Sequence, residues 1–206
     1  MVGLPAQSAL LPLLRLEAGQ PGDGCGVNRA RPACPGSLMR VTIRAPLPTD
    51  QREILAAVHR SRRLHRPWVH PPSSPKLFRA YLEQGARDAN ESYVACLRAT
   101  GELVGVVNLS EIVFGAFRSA YLGYYGFLPH AGLGYMTEAM GLVIDDAFRR
   151  LRLHRLEANI QPRNEASVAL VRRLGFRREG YSPRYLKIGG RWQDHERWAI
   201  LAEESR

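Results

Sequence analysis

Apolar and polar residues alternate along several stretches of the chain after residue 38, and this period of two predicts β-strands. The first strand is predicted over residues 39–44. Residues 92–99 and 103–111 form a predicted hairpin across a Thr-Gly-Glu turn, and residues 119–128 form a third strand beside it. The middle of the chain is therefore expected to be antiparallel sheet.

Two helical patterns lie between the first strand and the hairpin. Thr49 or Asp50 can cap the first helix, Glu53 lies three residues after Asp50 as a capping box requires, and Pro67 ends this helix. Ser74 and Pro75 supply an N-cap and a proline at the first position of the next helix. The side chains predicted to be buried are Ile54, Leu55, Val58 and Leu64 in the first helix and Leu77, Phe78, Tyr81 and Leu82 in the second.

The second half of the chain alternates strands with helices. A strand over 121–128 leads through a turn into a helix over 135–150, and a strand over 155–160 leads into a helix that ends at Leu174, before Gly175. The apolar face of the first of these helices comprises Met136, Ala139, Met140, Val143 and Ala147. The remaining strands, with a Gly-Gly turn in the last hairpin, are predicted over residues 176–181, 185–188 and 192–201.

These elements make one mixed α/β domain of about seven strands and four helices over residues 39–206. A chain of 206 residues with 45% hydrophobic residues can bury a full core. Residues 1–38 contain eleven Gly or Pro residues and show no helical or strand period, so they are predicted to be a disordered or loosely attached extension. Initiation at Met39 is the alternative.

The sequence carries no sign of a membrane segment or of export. No apolar run approaches the roughly 18 residues that a membrane-spanning helix needs, and no Lys or Arg precedes the first apolar stretch, as a secretory signal requires. We therefore expect a cytoplasmic protein without a membrane partner. Cys25, Cys34 and Cys96 fit neither a disulfide framework nor a tetrahedral zinc site, and no metal is expected.

The formal net charge is +10, and nearly all the positive charge is arginine. Between residues 149 and 191, twelve Arg or Lys residues stand against three acidic ones. Such a surface attracts phosphate groups. Charge alone leaves a phosphorylated cofactor, an acidic peptide and ribosomal RNA open as its partner.

The turn Gly132-Leu133-Gly134 joins a predicted strand to a predicted helix. Glycines let the backbone turn tightly and approach a ligand, and the N–H groups of a helix start attract anions. The turn therefore predicts a phosphate site, with an ordinary ligand-free turn as the alternative. A Rossmann turn is disfavoured because Thr137 replaces the third glycine, and a P-loop because no Gly-Lys-Ser/Thr follows.

The turn opens an ordered series of six segments: Gly132 to Ala139, His154 to Ala158, Pro162 to Ser167, Leu174 to Phe176, Glu179-Gly180 and Trp192 to His195. Together they resemble the GNAT acetyltransferases over about residues 39–202, and the branch they resemble most is the RimJ/RimL type of ribosomal-protein-alanine N-acetyltransferase. The resemblance implies a mixed, mostly antiparallel sheet whose two parallel central strands splay apart. Acetyl-CoA would be the cosubstrate, with its pantetheine arm in the gap.

The resemblance also implies which residues surround acetyl-CoA. Phe127 and Leu128 would offer backbone groups to pantetheine. Asn164 and Ser167 would lie near the thioester and the cofactor arm, and both are included among the catalytic residues. The pyrophosphate would be surrounded by Gly132, Leu133, Gly134, Tyr135 and Met136, with Thr137 nearby.

The glycine turn departs from the family's usual pattern at two positions. Pro129 and Ala131 stand where the family often has Gln or Arg and a further basic or polar residue. His130 and distant arginines are the candidates to compensate. His130 therefore joins the predicted cofactor-binding residues.

The implied reaction is direct attack of a neutral amine on the acetyl thioester. Many relatives place a tyrosine acid in the second helix, where this chain has Val171, and the RimJ/RimL branch resembles this chain in having a serine one turn earlier. Ser167 is therefore the predicted acid. Glu111, at the end of a central strand, is the predicted base, ahead of Glu157 and Asp194, with salt bridges to arginine as the alternative for each carboxylate.

The predicted acceptor is the N-terminal α-amine of a protein, such as a ribosomal protein. An α-amine with a pKa of 7.7 to 8.0 is about a tenth neutral at pH 7, whereas a lysine amine is neutral about once in a thousand or less. A small-molecule amine is the variant, and a catalytically silent domain that binds acyl-CoA or RNA is the alternative of a different class. Ribosome association and a homodimer stay open. The residues predicted to border the acceptor cleft are Trp68, Tyr81, Asp194, His195 and the loop 114–117.

Overall fold

The structure, a computed structural model, describes residues 39–205. Within this range the strands form a single sheet of seven strands in the order β1-β2-β3-β4-β5-β7-β6. The elements in chain order are β1 (Val41–Arg44), α1 (Gln51–Arg60), α2 (Arg62–His65), α3 (Pro75–Gly85), β2 (Glu91–Leu97), β3 (Leu103–Val113), β4 (Ser119–Gly126), α4 (Tyr135–Arg149), β5 (Arg155–Ile160), α5 (Glu165–Arg173), β6 (Arg177–Ile188) and β7 (Arg191–Leu201).

The sheet is mixed and mostly antiparallel, as predicted. Every neighbouring pair of strands is antiparallel except β4 and β5. The described residues contain five α-helices instead of the predicted four, because Ser61 divides the first helix into α1 and α2. Ser61 is fully buried, and its Oγ accepts a hydrogen bond from the N–H of Leu128 at 2.9 Å.

Helices cover both faces of the sheet and enclose two main clusters of buried side chains. On one face, α4 packs through Met140, Val143, Ile144 and Ala147 against β3, β4 and β5, and Val171 of α5 joins this cluster. On the other face, α1 and α3 pack against Tyr125 and Phe127. The predicted apolar face of α4 is confirmed, with Met136 only partly buried.

Several boundary signals in the sequence are confirmed. Ser74 caps α3, since its Oγ accepts a hydrogen bond from the N–H of Leu77 at 3.3 Å. Gly175 follows α5 with a φ of 90°, a left-handed conformation that glycine adopts readily. The predicted hairpin of β2 and β3 also forms, with Val94 opposite Val106.

Three local predictions are wrong. Asp50 makes no capping hydrogen bond, because its carboxylate instead accepts hydrogen bonds from Arg44, at 2.7 and 2.8 Å, and from the N–H of Leu47. Leu64 and Leu77 are exposed, since α2 and α3 turn these positions away from the core. The two strands predicted over 176–188 are a single strand, β6, whose pairing with β7 is irregular between Ser182 and Leu186.

The extension predicted over residues 1–38, with Cys25 and Cys34, lies outside the described residues. Cys96 is buried on β2. Among the helices of residues 39–205, none combines the length and the apolar character required to cross a membrane.

Candidate active site

The two parallel strands at the centre of the sheet diverge along their length. β4 and β5 pair only where Ser119–Tyr121 lies beside Arg155–Glu157, although β4 continues to Gly126 and β5 to Ile160. A cleft of about 480 Å³ opens where the pairing has ended. The splayed central strands predicted from the sequence are confirmed.

Five parts of the fold line this cleft. They are the C-terminal end of β4, the C-terminal end of β5, the glycine turn with the first turns of α4 and α5, the end of α2 with the residues after it, and the hairpin of β6 and β7. The residues that matter below are Tyr124, Tyr125, Asn159, Gly132, Gly134, Met136, Thr137, Asn164, Ser167, His65, Trp68 and His195.

The glycine turn has the geometry of an anion site. Gly132 and Gly134 have φ values of 82° and 83°, which side chains other than glycine adopt only at a cost. Gly134 is the N-cap of α4, and the first N–H groups of a helix lack intrahelical partners. No atom lies within 4 Å of where a Cβ would stand on Gly132, so a phosphate can reach the backbone there.

Arg40, beside β1, holds the start of α4 in place. Its Nε donates a hydrogen bond to Oε1 of Glu138 at 2.6 Å, and its backbone N–H donates to Oε2 at 2.9 Å. The guanidinium also lies 4.4 Å from the ring centroid of Tyr135 and donates to the carbonyl of Leu133. The turn is therefore fixed to the sheet before any ligand binds.

Met136 fixes the same helix turn from below. A Cβ on Gly105 would collide with Met136 Sδ, and a Cβ on Gly126 would lie 3.2 Å from Met136 Cγ. Glycines on β3 and β4 thus allow the first turn of α4 to approach the sheet closely. Met136 and Thr137, which the resemblance places around the pyrophosphate, both line the cleft.

Two predicted cofactor residues, Phe127 and Leu128, are not among the residues that line the cleft. The N–H of Phe127 donates to the carbonyl of Val104 at 2.7 Å, and that of Leu128 donates to Ser61. These two N–H groups are therefore engaged within the protein, and the part of β4 that lines the cleft is residues 122–126.

Three further predicted residues stand around the outside of the turn. His130 lies against the ring of Tyr135, with a centroid distance of 5.9 Å, and its Nε2 is 3.5 Å from a carboxylate oxygen of Glu102. Leu133 is 56% exposed. Their side chains do not line the cleft, so a contribution from Leu133 or Tyr135 to a phosphate would come through the backbone.

The structure brings Asn164 and Ser167 together with a tyrosine of β4. Asn164 caps α5, and its Oδ1 accepts a hydrogen bond from the N–H of Ser167 at 3.2 Å. Ser167 Oγ donates to Oη of Tyr124 at 2.9 Å, and Tyr124 Oη lies 3.3 Å from the carbonyl of Ser167. Burial raises the pKa of Tyr124 to about 12, so this hydroxyl keeps its proton at neutral pH.

The predicted carboxylate bases are not brought to the cleft. Glu111 is exposed at an irregularity of β3, where its φ of 51° turns it away from the lining. Glu157 accepts a hydrogen bond from Arg155 at 3.0 Å, and this salt bridge was the alternative to catalysis. Asp194 accepts hydrogen bonds from Tyr181 Oη at 2.5 Å and from the N–H of Arg184 at 2.7 Å.

The aromatic residues predicted to border the acceptor cleft divide in the same way. Trp68 and His195 line it. Tyr81 instead donates a hydrogen bond to Asn108 at 2.9 Å and packs against the cluster under α1 and α3. Phe114 and Phe117 are exposed in the loop between β3 and β4.

Sequence reasoning missed three polar residues of the cleft wall. His65 Nδ1, Tyr125 Oη and Asn159 Oδ1 are buried and find no hydrogen-bond partner among residues 39–205. Unpaired buried polar atoms are costly, and these three belong to residues that line one cleft. Of the three, only Tyr125 carried a signal in the sequence, since strand alternation places it on the face opposite to Tyr124.

Comparison with known proteins agrees with this geometry. The sequence model of the acetyltransferase (GNAT) domain matches residues 40–177. The ribosomal protein uS5-alanine N-acetyltransferase of Escherichia coli is 44% identical over 103 residues, which are 50% of this chain and 53% of that enzyme. The chain thus spans about half the length of this relative.

Two solved structures are similar over most of the chain. RimJ of Mycobacterium smegmatis in complex with CoA-disulfide has a TM-score of 0.71 and 30% identity, and the match covers 80% of this chain and 83% of that one. The spermidine N-acetyltransferase of Vibrio cholerae in complex with CoA and spermine has a TM-score of 0.69 and 26% identity, with 80% of this chain and 97% of that chain covered. The chain therefore belongs to the GNAT family of N-acetyltransferases, which use acetyl-CoA as the acetyl donor.

Proposed function

We propose that the protein transfers the acetyl group of acetyl-CoA to the N-terminal α-amine of a protein. The observation that carries this choice is the charge of the cleft. Within the described range, no Asp or Glu lines it, and its polar groups are tyrosine, serine, threonine, asparagine, glutamine, histidine and one arginine. A neutral to basic cleft fits an acceptor that carries one weakly basic amine.

A polyamine acceptor is disfavoured on the same ground. Spermidine carries several positive charges at neutral pH, and desolvating them requires carboxylates that pair with them. Arg173, the one arginine that lines the cleft among residues 39–205, would repel such a molecule. The relatives named above include a ribosomal protein uS5-alanine and a spermidine N-acetyltransferase, so the family alone does not decide between the two classes.

The proposed position of acetyl-CoA follows from the cleft walls. The backbone of Gly132, Gly134 and the first turn of α4 would hold the pyrophosphate. The pantetheine arm would lie between β4 and β5, where unpaired strand edges offer hydrogen bonds. Asn164 and Ser167 would then stand beside the thioester.

Ser167 is proposed to protonate the departing thiolate. Its hydroxyl is hydrogen-bonded to Tyr124, which is protonated at neutral pH. Tyr124 can therefore donate a proton to Ser167 after Ser167 has given its own to the thiolate. Two adjacent hydroxyl groups thus form a short relay on the α5 side of the cleft. No carboxylate is required in this relay.

A panel of acceptors tests the proposed function. Peptides that begin with Ala or Ser should release CoA thiol from acetyl-CoA with a kcat/KM at least about 10-fold above that of spermidine, a difference of about 1.4 kcal/mol in transition-state binding. The matched control is the same peptide with a blocked N-terminus and one internal lysine, which should release no thiol. Preference for spermidine, or equal turnover of the blocked peptide, would overturn the proposed acceptor class.

A further inference from the structure

The cleft wall offers few groups that can take a proton from an amine. The titratable side chains that line it in the described part of the chain are those of His65, Tyr124, Tyr125, Arg173 and His195. Arginine stays protonated, and burial raises the pKa of both tyrosines. Only the two histidines are neutral bases near pH 7.

His65 is closed off from an acceptor. Its Nε2 lies 2.8 Å from the carbonyl of Gly126 and therefore carries the proton that this contact shares. The remaining nitrogen, Nδ1, is buried, and the ring packs edge-on against Tyr125 and Phe127 at centroid distances of 5.4 and 6.1 Å. His65 thus supports the wall of the cleft.

His195 has the opposite arrangement. Its Nδ1 lies 3.0 Å from the carbonyl of Gln193, so Nδ1 carries the proton and donates it to that carbonyl. Nε2 then carries the lone pair. Among residues 39–205, the side-chain atoms that are both fully buried and without a hydrogen-bond partner do not include this nitrogen. A buried ring with a fixed tautomer and one free nitrogen at the cleft is the arrangement a general base needs.

The strand register places His195 on the face of the sheet that α1 and α3 cover. On β7, His195 stands one position beyond the last pair with β5, Ile160 with Glu196, and it shares its face of the sheet with Arg197, the partner of Asn159. The pairing of Tyr121 with Glu157 carries this face across to β4, where Tyr125 packs under α1 and α3.

Ser167 and Tyr124 belong to the other face. Tyr124 precedes Tyr125 on β4 and therefore points to the side that α4 and α5 cover. A thioester seated between the splayed strands would thus have the hydroxyl relay on one side and His195 on the other.

The charges around His195 leave it neutral. Tyr185 of β6 packs against its ring with a centroid distance of 6.2 Å, and the end of β5 and the residue after it offer the neutral Asn159 and Gln161. On its own strand, Asp194 is bound to Tyr181 and Arg184, and Arg197 stands on the same face. Burial lowers the pKa of His195 below its ordinary 6.5, against the smaller opposite effects of the Gln193 carbonyl and Asp194.

From this placement we infer that His195 is the general base of the transfer, with Nε2 accepting the proton of the acceptor amine. The inference rests on the proposed function only in requiring an amine acceptor. The bond from the amine nitrogen to the acetyl carbon forms while the carbon–sulfur bond breaks. One proton passes from nitrogen to His195 Nε2, and one passes from Ser167 to the sulfur, so amine and acetyl-CoA become amide and CoA thiol. Tyr124 returns a proton to Ser167, and solvent takes the proton from His195 and restores that of Tyr124.

The test compares the full chain with its His195→Gln variant, using whichever amine the wild type acetylates fastest. We expect kcat to fall about 100-fold or more, the usual effect of removing a general base. The affinity for CoA, measured by calorimetry, should stay within about 2-fold, because the contacts of the His195 ring are with Gln193 and Tyr185 and include no residue of the glycine turn. In the wild type, kcat should fall as the pH drops below 6.5, and the variant should lose this limb.

Two further variants distinguish a general base from a residue that only supports the structure. His154→Gln, at an exposed histidine before β5, should leave kcat unchanged. His195→Ala should regain part of its activity, about 5-fold or more, in millimolar imidazole, whereas the wild type should not respond. A kcat within about 3-fold of wild type in both His195 variants, or a loss without rescue in which the acidic limb persists, would overturn the inference. A wild type that acetylates only small amines would overturn the proposed acceptor and leave this test intact.

Discussion

At the scale of single residues, the site combines groups from distant parts of the sequence through a few short hydrogen bonds. Ser167 and Tyr124 lie 43 positions apart, yet their hydroxyl oxygens are 2.9 Å from each other. Asn164 orients the first turn of α5, and Tyr124 then fixes the hydroxyl of Ser167. The chemistry proposed for Ser167 therefore depends on a tyrosine that no local pattern connects to it.

Replacing Ser167 by Ala should lower kcat about 100-fold, because the thiolate loses its proton donor, while the KM for acetyl-CoA changes by less than about 2-fold. Tyr124→Phe should have a smaller effect, since Ser167 keeps its own proton. Steady-state thiol release measures both. Ser73→Ala, at an exposed serine before α3, is the matched control. Unchanged turnover in Ser167→Ala would remove Ser167 from the mechanism.

At the scale of elements, the start of α4 carries the anion site, and its shape comes from left-handed glycines and from the Arg40 contacts. The same helix contains Gly141 in its interior, where no atom stands within 4 Å of an added Cβ. Replacement by alanine is therefore expected to have opposite effects on stability at these two glycines. The left-handed backbone at Gly134 requires glycine, whereas the missing side chain at Gly141 only weakens the helix.

Gly134→Ala should destabilise the protein by about 1–2 kcal/mol and weaken CoA binding, because alanine resists a φ of 83°. Gly141→Ala should stabilise it by about 0.5–1 kcal/mol and leave CoA binding unchanged. Urea unfolding gives the first quantity and calorimetry with CoA gives the second. Equal CoA affinity in the two variants would argue against phosphate binding at this turn.

At the scale of the whole molecule, the excess of arginine should act on the cosubstrate before contact is made. The net charge is +10, and acetyl-CoA carries phosphates on the part that faces the glycine turn in the proposed arrangement. A positive field of this kind raises the association rate with anions and is screened by salt.

The KM for acetyl-CoA should therefore rise several-fold between about 50 and 300 mM salt, as the Debye length shrinks to well below 10 Å. Acetyl-pantetheine, which presents the same thioester without phosphates, is the matched control, and its KM should hardly change. Initial rates at a fixed acceptor concentration measure both. A parallel rise for the two donors would point to a general effect of salt on the fold.

Local signals in the sequence determined the strands, the hairpins, the glycine turn and the face of α4, because periodicity, caps and left-handed glycines act within one or two turns of chain. They also determined the family, through an ordered series of short segments. The capping box of Asp50 failed because Arg44 and Leu47 outcompeted a local contact.

Only the tertiary structure decided where β4 and β5 part, which face each cleft residue shares, and which polar groups are already occupied. Glu111 had the chemistry of a base, but the irregularity in β3 keeps it out of the cleft. Ser167 found Tyr124, and His195 reached the cleft, through strand pairing between distant segments. Such partnerships depend on register and packing across the sheet, and a single sequence encodes these only through the fold it adopts.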